Sequence, residues 1–329
     1  MEIHIMKQLS LKGKNVTLIG GGVIGASWAT VFLSGGMSVT ISDPDENIES
    51  KIDDYFRHAI ADLDKMGKNY SGVTPDNYLK NIFFEKDLAK AVKAADYIQE
   101  NAPERIDVKK NIWKTVEENA PAHTLFLSSS SGIIATHQSV DLTSPERLII
   151  GHPFNPPHLL PLVEVVPGEK KDKKYIDQAL AFYSALGKLP RLINKEVDGF
   201  VVNRLQSAIF KECVYLVSQG VVRVEELDDI VTSSIGIRWA TGGPFLSFHL
   251  GGGAGGMGHF LEHLAPGMEK RWGKQALEVV SFDDKTKKTI TDQVNASYGR
   301  FAIPQLEKSR DVKEISIMKI LNTFSSEKE

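Results

Sequence analysis

An α/β fold, with a doubly wound and mostly parallel sheet followed by an all-α C-terminal domain, is predicted by three observations. Short β-rich runs alternate with amphipathic helical stretches through the first two thirds of the chain. A glycine-rich turn closes the first of those runs. From Asp198 onward only helical patterns follow. The expected domains are therefore residues 1–197 and 198–329.

The elements follow in order. Asn15–Ile19, Met37–Ser42, Asn81–Phe84, Asp96–Glu100, Thr124–Ser128, Arg147–Gly151 and Pro161–Val166 are short apolar runs that suit strands, and Lys188–Asn194 adds a last one. Between them, Asp45–Met66 repeats Ile48, Ile52, Tyr55, Phe56, Ala59, Ile60 and Leu63 at helical spacing. Glu104–Glu118 and Asp172–Leu186 also read as helices, and so do Gly199–Gln219, Val224–Ser233 and Asp283–Tyr298 in the second part. Ser325–Glu329 reads as a solvated tail.

Composition narrows the function classes. At 329 residues, 42% hydrophobic and 25% charged, the chain can bury a core without staples. A net charge of −3 argues against a nucleic-acid partner. The single cysteine, Cys213, excludes a disulfide framework and sits in an apolar helix as an inert thiol. No run reaches the ~20 apolar residues of a membrane span, and Met1–Lys14 has no signal-like apolar stretch. A cytoplasmic protein is expected, with no membrane partner.

Residues 16–25 read VTLIGGGVIG, a strand followed by G-x-G-x-x-G at the mouth of a helix. Gly20 permits the tight turn, Gly22 lets a pyrophosphate approach the backbone, and Gly25 allows close helix–strand packing. Val23 and Ile24 stand where the helix begins and offers its amides to phosphate. Asp43 ends the second strand, about 20 positions after the first glycine, where a carboxylate meets ribose hydroxyls. With Asp45 and Glu46 beside it, a 2′-phosphate would be repelled. The expected domain is Rossmann-type and the cofactor NAD.

Chemistry-bearing residues cluster where strands end, the ligand edge of such sheets. Ser131 follows one strand. His152 follows the RLII strand in GHPFNPPHLLPLVEVV, with Glu164 twelve positions later, and Asn203 opens the long helix. As a set they suit hydride removal from an alcohol. A histidine takes the hydroxyl proton, a carboxylate orients it, and Ser and Asn donate to the alcohol oxygen. Taken singly, each has a plainer reading as a polar loop, a buried structural histidine or a helix-start residue.

GGGVIG, QENAPER (residues 99–105), Ser131, GHPFNPP, LVEVV and DGFVVNRL together resemble the 3-hydroxyacyl-CoA dehydrogenase superfamily over essentially the whole chain. The resemblance implies Ser131, His152, Glu164 and Asn203 as the catalytic group, with His152 as base. Ser131 and Asn203 also touch substrate, and Asp43, Glu104, Lys109 and Asn155 become cofactor contacts. It further implies a homodimer formed through the C-terminal domain. Glu104 and Lys109 otherwise read as an exposed helix face.

GIRWATGGPF (residues 236–245) and GGGAGGMGHF resemble the branch containing L-gulonate 3-dehydrogenase, the lambda-crystallin type, and L-carnitine dehydrogenase. The expected reaction is therefore NAD-dependent oxidation of a small L-3-hydroxy acid to the 3-oxo acid. Arg238 is the candidate anchor for a free carboxylate, its plainer reading being an arginine paired with a structural acid or a helix end. Trp239, Phe245 and Phe248 either line a quaternary-ammonium cage or belong to a core. A 3-hydroxyacyl-CoA substrate, as in fatty-acid metabolism, is the alternative. Members acting on CoA esters carry a serine and a lysine on the helix after the second strand, and an ungapped count places Ala59 and Met66 there, with Lys65 next door. Asp45, Glu46, Glu49, Asp53, Asp54, Asp62 and Asp64 outnumber Lys51, Arg57 and Lys65 on that stretch, a charge balance opposed to a polyanion. A non-catalytic, crystallin-like structural protein is the remote alternative, opposed by the intact Ser131–His152–Glu164–Asn203 set.

Two further patterns are set aside. HFLEH (residues 259–263) fits an inverted zinc-peptidase motif, but zinc would leave the glycine turn and the His152 set unexplained, so no metal is expected. Gly251–Gly256 lacks the Lys-Ser/Thr of a phosphate loop and suits close backbone approach or a mobile loop.

Overall fold

The computed structural model describes residues 9–325; residues 1–8 of the amino-terminal stretch and residues 326–329 of the expected tail lie outside it. The chain divides into two compact units, one ending at Arg204 and the other beginning at Leu205.

The first unit is built on one eight-stranded sheet. Its strands are β1 (Asn15–Ile19), β2 (Ser38–Ser42), β3 (Ile82–Phe84), β4 (Tyr97–Glu100), β5 (Leu125–Ser128), β6 (Leu148–Pro153), β7 (Leu162–Pro167) and β8 (Leu189–Leu192). Spatial order is β3-β2-β1-β4-β5-β6-β7-β8. All neighbours are parallel except β6 and β7, which run antiparallel. The helices are α1 (Val23–Ser34), α2 (Ile48–Lys65), α3 (Leu88–Ala91), α4 (Ile106–Asn119), α5 (Ala135–Gln138) and α6 (Lys173–Ala185).

Strand periodicity explains why the runs are apolar throughout. Leu18, Leu125, Leu127 and Ile149 face one core with Trp28 and Phe32 of α1, Phe56 of α2 and Phe182 of α6. Ile19, Ile98, Phe126 and Leu148 face the other, with Trp113 and Val116 of α4. Each phenylalanine buried this way contributes roughly 1.5–3 kcal/mol. α1 lies so deep that every residue from Gly25 to Ser34 is buried. The strand order reverses direction at β1, between β2 and β4. The crevice beyond the carboxyl ends of β1 and β4 is thus the place where such sheets hold a ligand.

The long helix α7 (Val202–Ser218) begins in the first unit and runs on in the second. Beyond it come α8 (Val224–Thr232), α9 (Ile235–Gly251), α10 (Gly256–His263), α11 (Ala265–Gln275), α12 (Asp284–Tyr298) and α13 (Ile303–Ser325). Helix α9 is kinked at Gly243, whose φ of +68° interrupts it just before Pro244. The Gly251–Gly256 run is neither phosphate loop nor long loop; it is the tight joint between α9 and α10. A Cβ on Gly252 would lie 1.8 Å from the Gly256 carbonyl oxygen, so close backbone approach is what the glycines permit. In the former zinc pattern, His259 and His263 stack ring on ring with centroids 4.3 Å apart. Cys213 is only half-buried in α7, and loss of hydration pushes its thiol up. No helix among the described residues is long and apolar enough to cross a membrane.

Candidate functional site

Two clusters lie along the carboxyl edge of the sheet, and the first is the glycine turn. Gly20 has φ +88°, a conformation L side chains rarely adopt. A Cβ on Gly25 would come within 2.1 Å of the Gly20 carbonyl oxygen, so α1 packs against the turn only as glycine. Gly22 faces open space. Val23 is exposed and Ile24 half-buried at the mouth of α1, where first-turn amides have no intrahelical acceptor. Asp43, at the end of β2, accepts the Gly21 N–H at 2.7 Å on one oxygen and the Asp45 N–H at 2.8 Å on the other. Its remaining lone pairs are available to a diol. An open, amide-rich turn with a half-buried carboxylate at its rim fits a dinucleotide.

Past β4 the chain holds a buried ionic group that the sequence reading missed. Glu100 accepts Lys109 Nζ on both oxygens, at 2.7 and 2.9 Å, as well as Ser128 Oγ at 2.6 Å and the Ala102 N–H at 2.7 Å. Burial pushes the Glu100 carboxyl up, against the pull of Lys109, Ser128 and Ala102. Lys109 is only 1% exposed and also reaches Glu104 Oε2 at 3.4 Å. It is thus a brace inside the fold rather than part of an exposed helix face. Glu104 accepts the amides of Gly132 (2.8 Å) and Ile133 (3.0 Å) and the Ser130 hydroxyl. Burial raises its carboxyl, but Ser130, Ile133, Lys109 and Gly132 outweigh burial and hold it below the ordinary range. Glu104 therefore shapes the loop that carries Ser131. A charged residue at the end of a strand buried on both faces was the available signal for Glu100.

The second cluster belongs to β6, β7 and α7. The antiparallel register pairs His152 directly with Glu164. His152 Nδ1 donates to Glu164 Oε2 at 2.8 Å, and both side chains are buried. The other carboxylate oxygen accepts the Val201 and Val202 amides, each at 3.0 Å. Phe154 and Phe200 flank the imidazole, their centroids 4.7 and 5.5 Å away. Asn203, in the first turn of α7, donates from Nδ2 to the Ser131 carbonyl at 3.0 Å, and the Ser131 side chain is exposed. His152, Glu164, Asn203 and Ser131 are thus linked through strand pairing, the α7 turn and one side-chain hydrogen bond.

Asn155 is exposed on the β6–β7 connection, before a cis bond to Pro156. That connection is held from beneath. His158 Nδ1 lies 3.0 Å from Ser27 Oγ and 3.3 Å from Tyr55 Oη, and Lys188 Nζ donates to the Pro157 and Leu160 carbonyls.

The remaining candidates stand elsewhere. Arg238 is exposed on the first half of α9, in the second unit. Phe248 packs against Phe260 with centroids 4.8 Å apart, while Phe245 is 83% exposed, so these aromatics do not form a core. On α2, Ala59 is buried in the sheet-facing core, so the ungapped count selects a residue that cannot dock a nucleotide. Lys65 pairs with Asp62 at 2.7 Å, and Asp45, Asp53 and Glu46 pair with Lys51, Arg57 and Lys86. Only Lys86 adds to the three bases already set against the seven acids, so the stretch keeps an excess of negative charge.

Comparison with known proteins places these features in a family. Residues 15–197 match the 3-hydroxyacyl-CoA dehydrogenase NAD-binding domain and residues 199–293 match the C-terminal domain of the same family. The L-carnitine dehydrogenase of Oceanobacillus iheyensis is 36% identical, over 94% of this chain and 99% of that protein. A 3-hydroxyacyl-CoA dehydrogenase of Gibberella moniliformis is 39% identical over 93% of this chain and 94% of that one. Among solved structures, the NAD+-dependent dismutase 5-formyl-3-hydroxy-2-methylpyridine 4-carboxylic acid 5-dehydrogenase superposes with a TM-score of 0.78. It is 26% identical and covers 94% of this chain and 99% of its own. With both parts of its length so matched, and a glycine turn suited to a dinucleotide, the chain belongs to the 3-hydroxyacyl-CoA dehydrogenase family and is an NAD-dependent dehydrogenase acting on a CH–OH group.

Proposed function

We propose that this enzyme oxidises the 3-hydroxyl of a small, free L-3-hydroxy acid to the 3-oxo acid, with L-carnitine as the first candidate and L-gulonate as the second. The observation that carries the mechanism is the buried His152–Glu164 pair. Because Nδ1 donates to the carboxylate, Nε2 is left as the acceptor that can take a hydroxyl proton. Glu164 then balances the imidazolium, and the Phe154 and Phe200 rings keep water from its sides. Ser131 and Asn203 are proposed to hold the reacting oxygen, Asn203 being fixed by its bond to the Ser131 carbonyl. NAD, when bound, supplies the hydride acceptor. The Gly20–Gly25 turn would take its pyrophosphate and Asp43 its ribose, with Glu104 and Asn155 as further contacts and Lys109 as the brace behind Glu104.

Support for the free acid comes from the 36% identical L-carnitine dehydrogenase, which this chain matches nearly end to end. Arg238 is proposed as the carboxylate anchor on the chemistry of its guanidinium. Thioester substrates are a second reading, favoured by the 39% identical relative named for 3-hydroxyacyl-CoA. NADH formation with L-carnitine, L-gulonate, L-3-hydroxybutyrate and L-3-hydroxybutyryl-CoA, side by side, separates them. Turnover of free acids, lost in Arg238→Gln through a raised KM, is expected. Preference for the thioester would overturn the free-acid reading, and no turnover with any of the four would revive a structural role.

A further inference from the structure

We infer that Phe200 is a positioning residue for the catalytic pair, acting through the backbone of the turn that opens α7; this rests on the reading of His152 and Glu164 given above. The Phe200 N–H donates to the Val197 carbonyl at 3.0 Å, closing a turn with Gly199 at φ +73°. Phe200 itself has φ +50°. Among the described residues it is the one non-glycine with positive φ, a conformation that a bulky side chain holds only when its surroundings impose it. What imposes it is burial. The ring is 0% exposed, packed with Ala135, Ile150 and Val166, and its centroid lies 5.5 Å from that of His152.

The consequence of this twist is where the next two amides point. Val201 and Val202 both donate to Glu164 Oε1 at 3.0 Å. With one oxygen clamped by two amides, the flexible glutamate has a single direction left for Oε2, which is toward His152 Nδ1. Phe200 thus touches the imidazole with its ring and fixes the orienting carboxylate with its backbone. The same turn delivers Asn203, so the carboxylate and Asn203 are both set by one strained turn beside the strand-held base.

The test compares three variants with Glu164→Gln in steady-state turnover of the best substrate. Phe200→Ala removes the anchor, and Phe200→Leu keeps a buried side chain. Val202→Pro deletes one amide donor at the first helical position, where proline is tolerated. We expect kcat to fall at least about tenfold in Phe200→Ala and about tenfold in Val202→Pro, as befits a lost bond to a charged group. KM for NAD should stay within about twofold, and Phe200→Leu should recover most of kcat. Wild-type kcat in folded Val202→Pro, while Glu164→Gln is crippled, would overturn this inference alone. Wild-type kcat in Glu164→Gln would instead remove the reading on which it rests.

Discussion

Gly25 cannot become alanine without moving backbone, because the added Cβ would sit 2.1 Å from the Gly20 carbonyl oxygen. Gly25→Ala is therefore expected to lose at least ~2 kcal/mol of stability and nearly all NAD binding, read by thermal unfolding and cofactor titration. Asp43 spends part of each oxygen on the Gly21 and Asp45 amides, and the remaining lone pairs are the ones proposed to meet the ribose. Asp43→Ser should raise KM for NAD about tenfold and narrow the preference over NADP, since the carboxylate that repels a 2′-phosphate is gone. An unchanged cofactor preference would contradict that assignment. At this scale the sequence was legible where chemistry demands a residue type. The glycine spacing was readable in that way, as was a histidine with a carboxylate on the next strand. It was not legible where tertiary packing decides. Nothing in a phenylalanine announces a left-handed backbone, and nothing in the spacing of Glu104 and Lys109 separates an exposed helix face from the buried Glu100–Lys109 pair.

The β6–β7 connection, which presents Asn155, is held by two ionisable side chains. His158 bonds to Ser27 of α1, and Lys188, just before β8, donates to the Pro157 and Leu160 carbonyls. Loss of hydration, helped by Lys68, pushes Lys188 from its ordinary 10.5 down to about 7. The sign follows from proton counts: between about pH 7 and 10.5 the unfolded chain holds a proton that the folded chain has released, so this group makes stability rise with pH over that window. Lys188→Met should flatten the rise in thermal midpoint measured from pH 7 to 9 relative to wild type; identical slopes would contradict it. Strands β1 to β7 were readable within one or two residues because a sheet buried on both faces demands continuous apolar runs. Helices α9 to α11 were not individually readable. Pro244 and the glycines of residues 251–256 look like loop until the kink and the tight α9–α10 joint are seen.

For the molecule as a whole, the second unit leaves large apolar side chains uncovered, among them Leu205, Phe245, Leu250 and Trp272. Exposed apolar side chains of this size suit burial against a second copy, and we propose a homodimer through residues 198–329. Sedimentation should give twice the monomer mass, and Phe245→Glu together with Leu250→Glu should shift it toward one; a wild-type monomer would refute this. The α/β-then-α order was legible in the switch from strand–helix alternation to helix alone, a pattern that depends on no single residue. Which acid is oxidised was not, because the choice between a free carboxylate and a thioester turns on a few side chains such as Arg238, whereas the reaction rests on the whole sheet edge. The glycine turn and the proposed base stand at different strand ends of that edge, beyond β1 and β4 for the one and between β6 and β7 for the other. They should therefore be separable, and the most direct measurement is made on His152→Ala: NAD affinity by titration and turnover of the preferred substrate on the same preparation. We expect unchanged NAD affinity and turnover reduced at least ~100-fold. Turnover near wild type would contradict the assignment of His152 as the base.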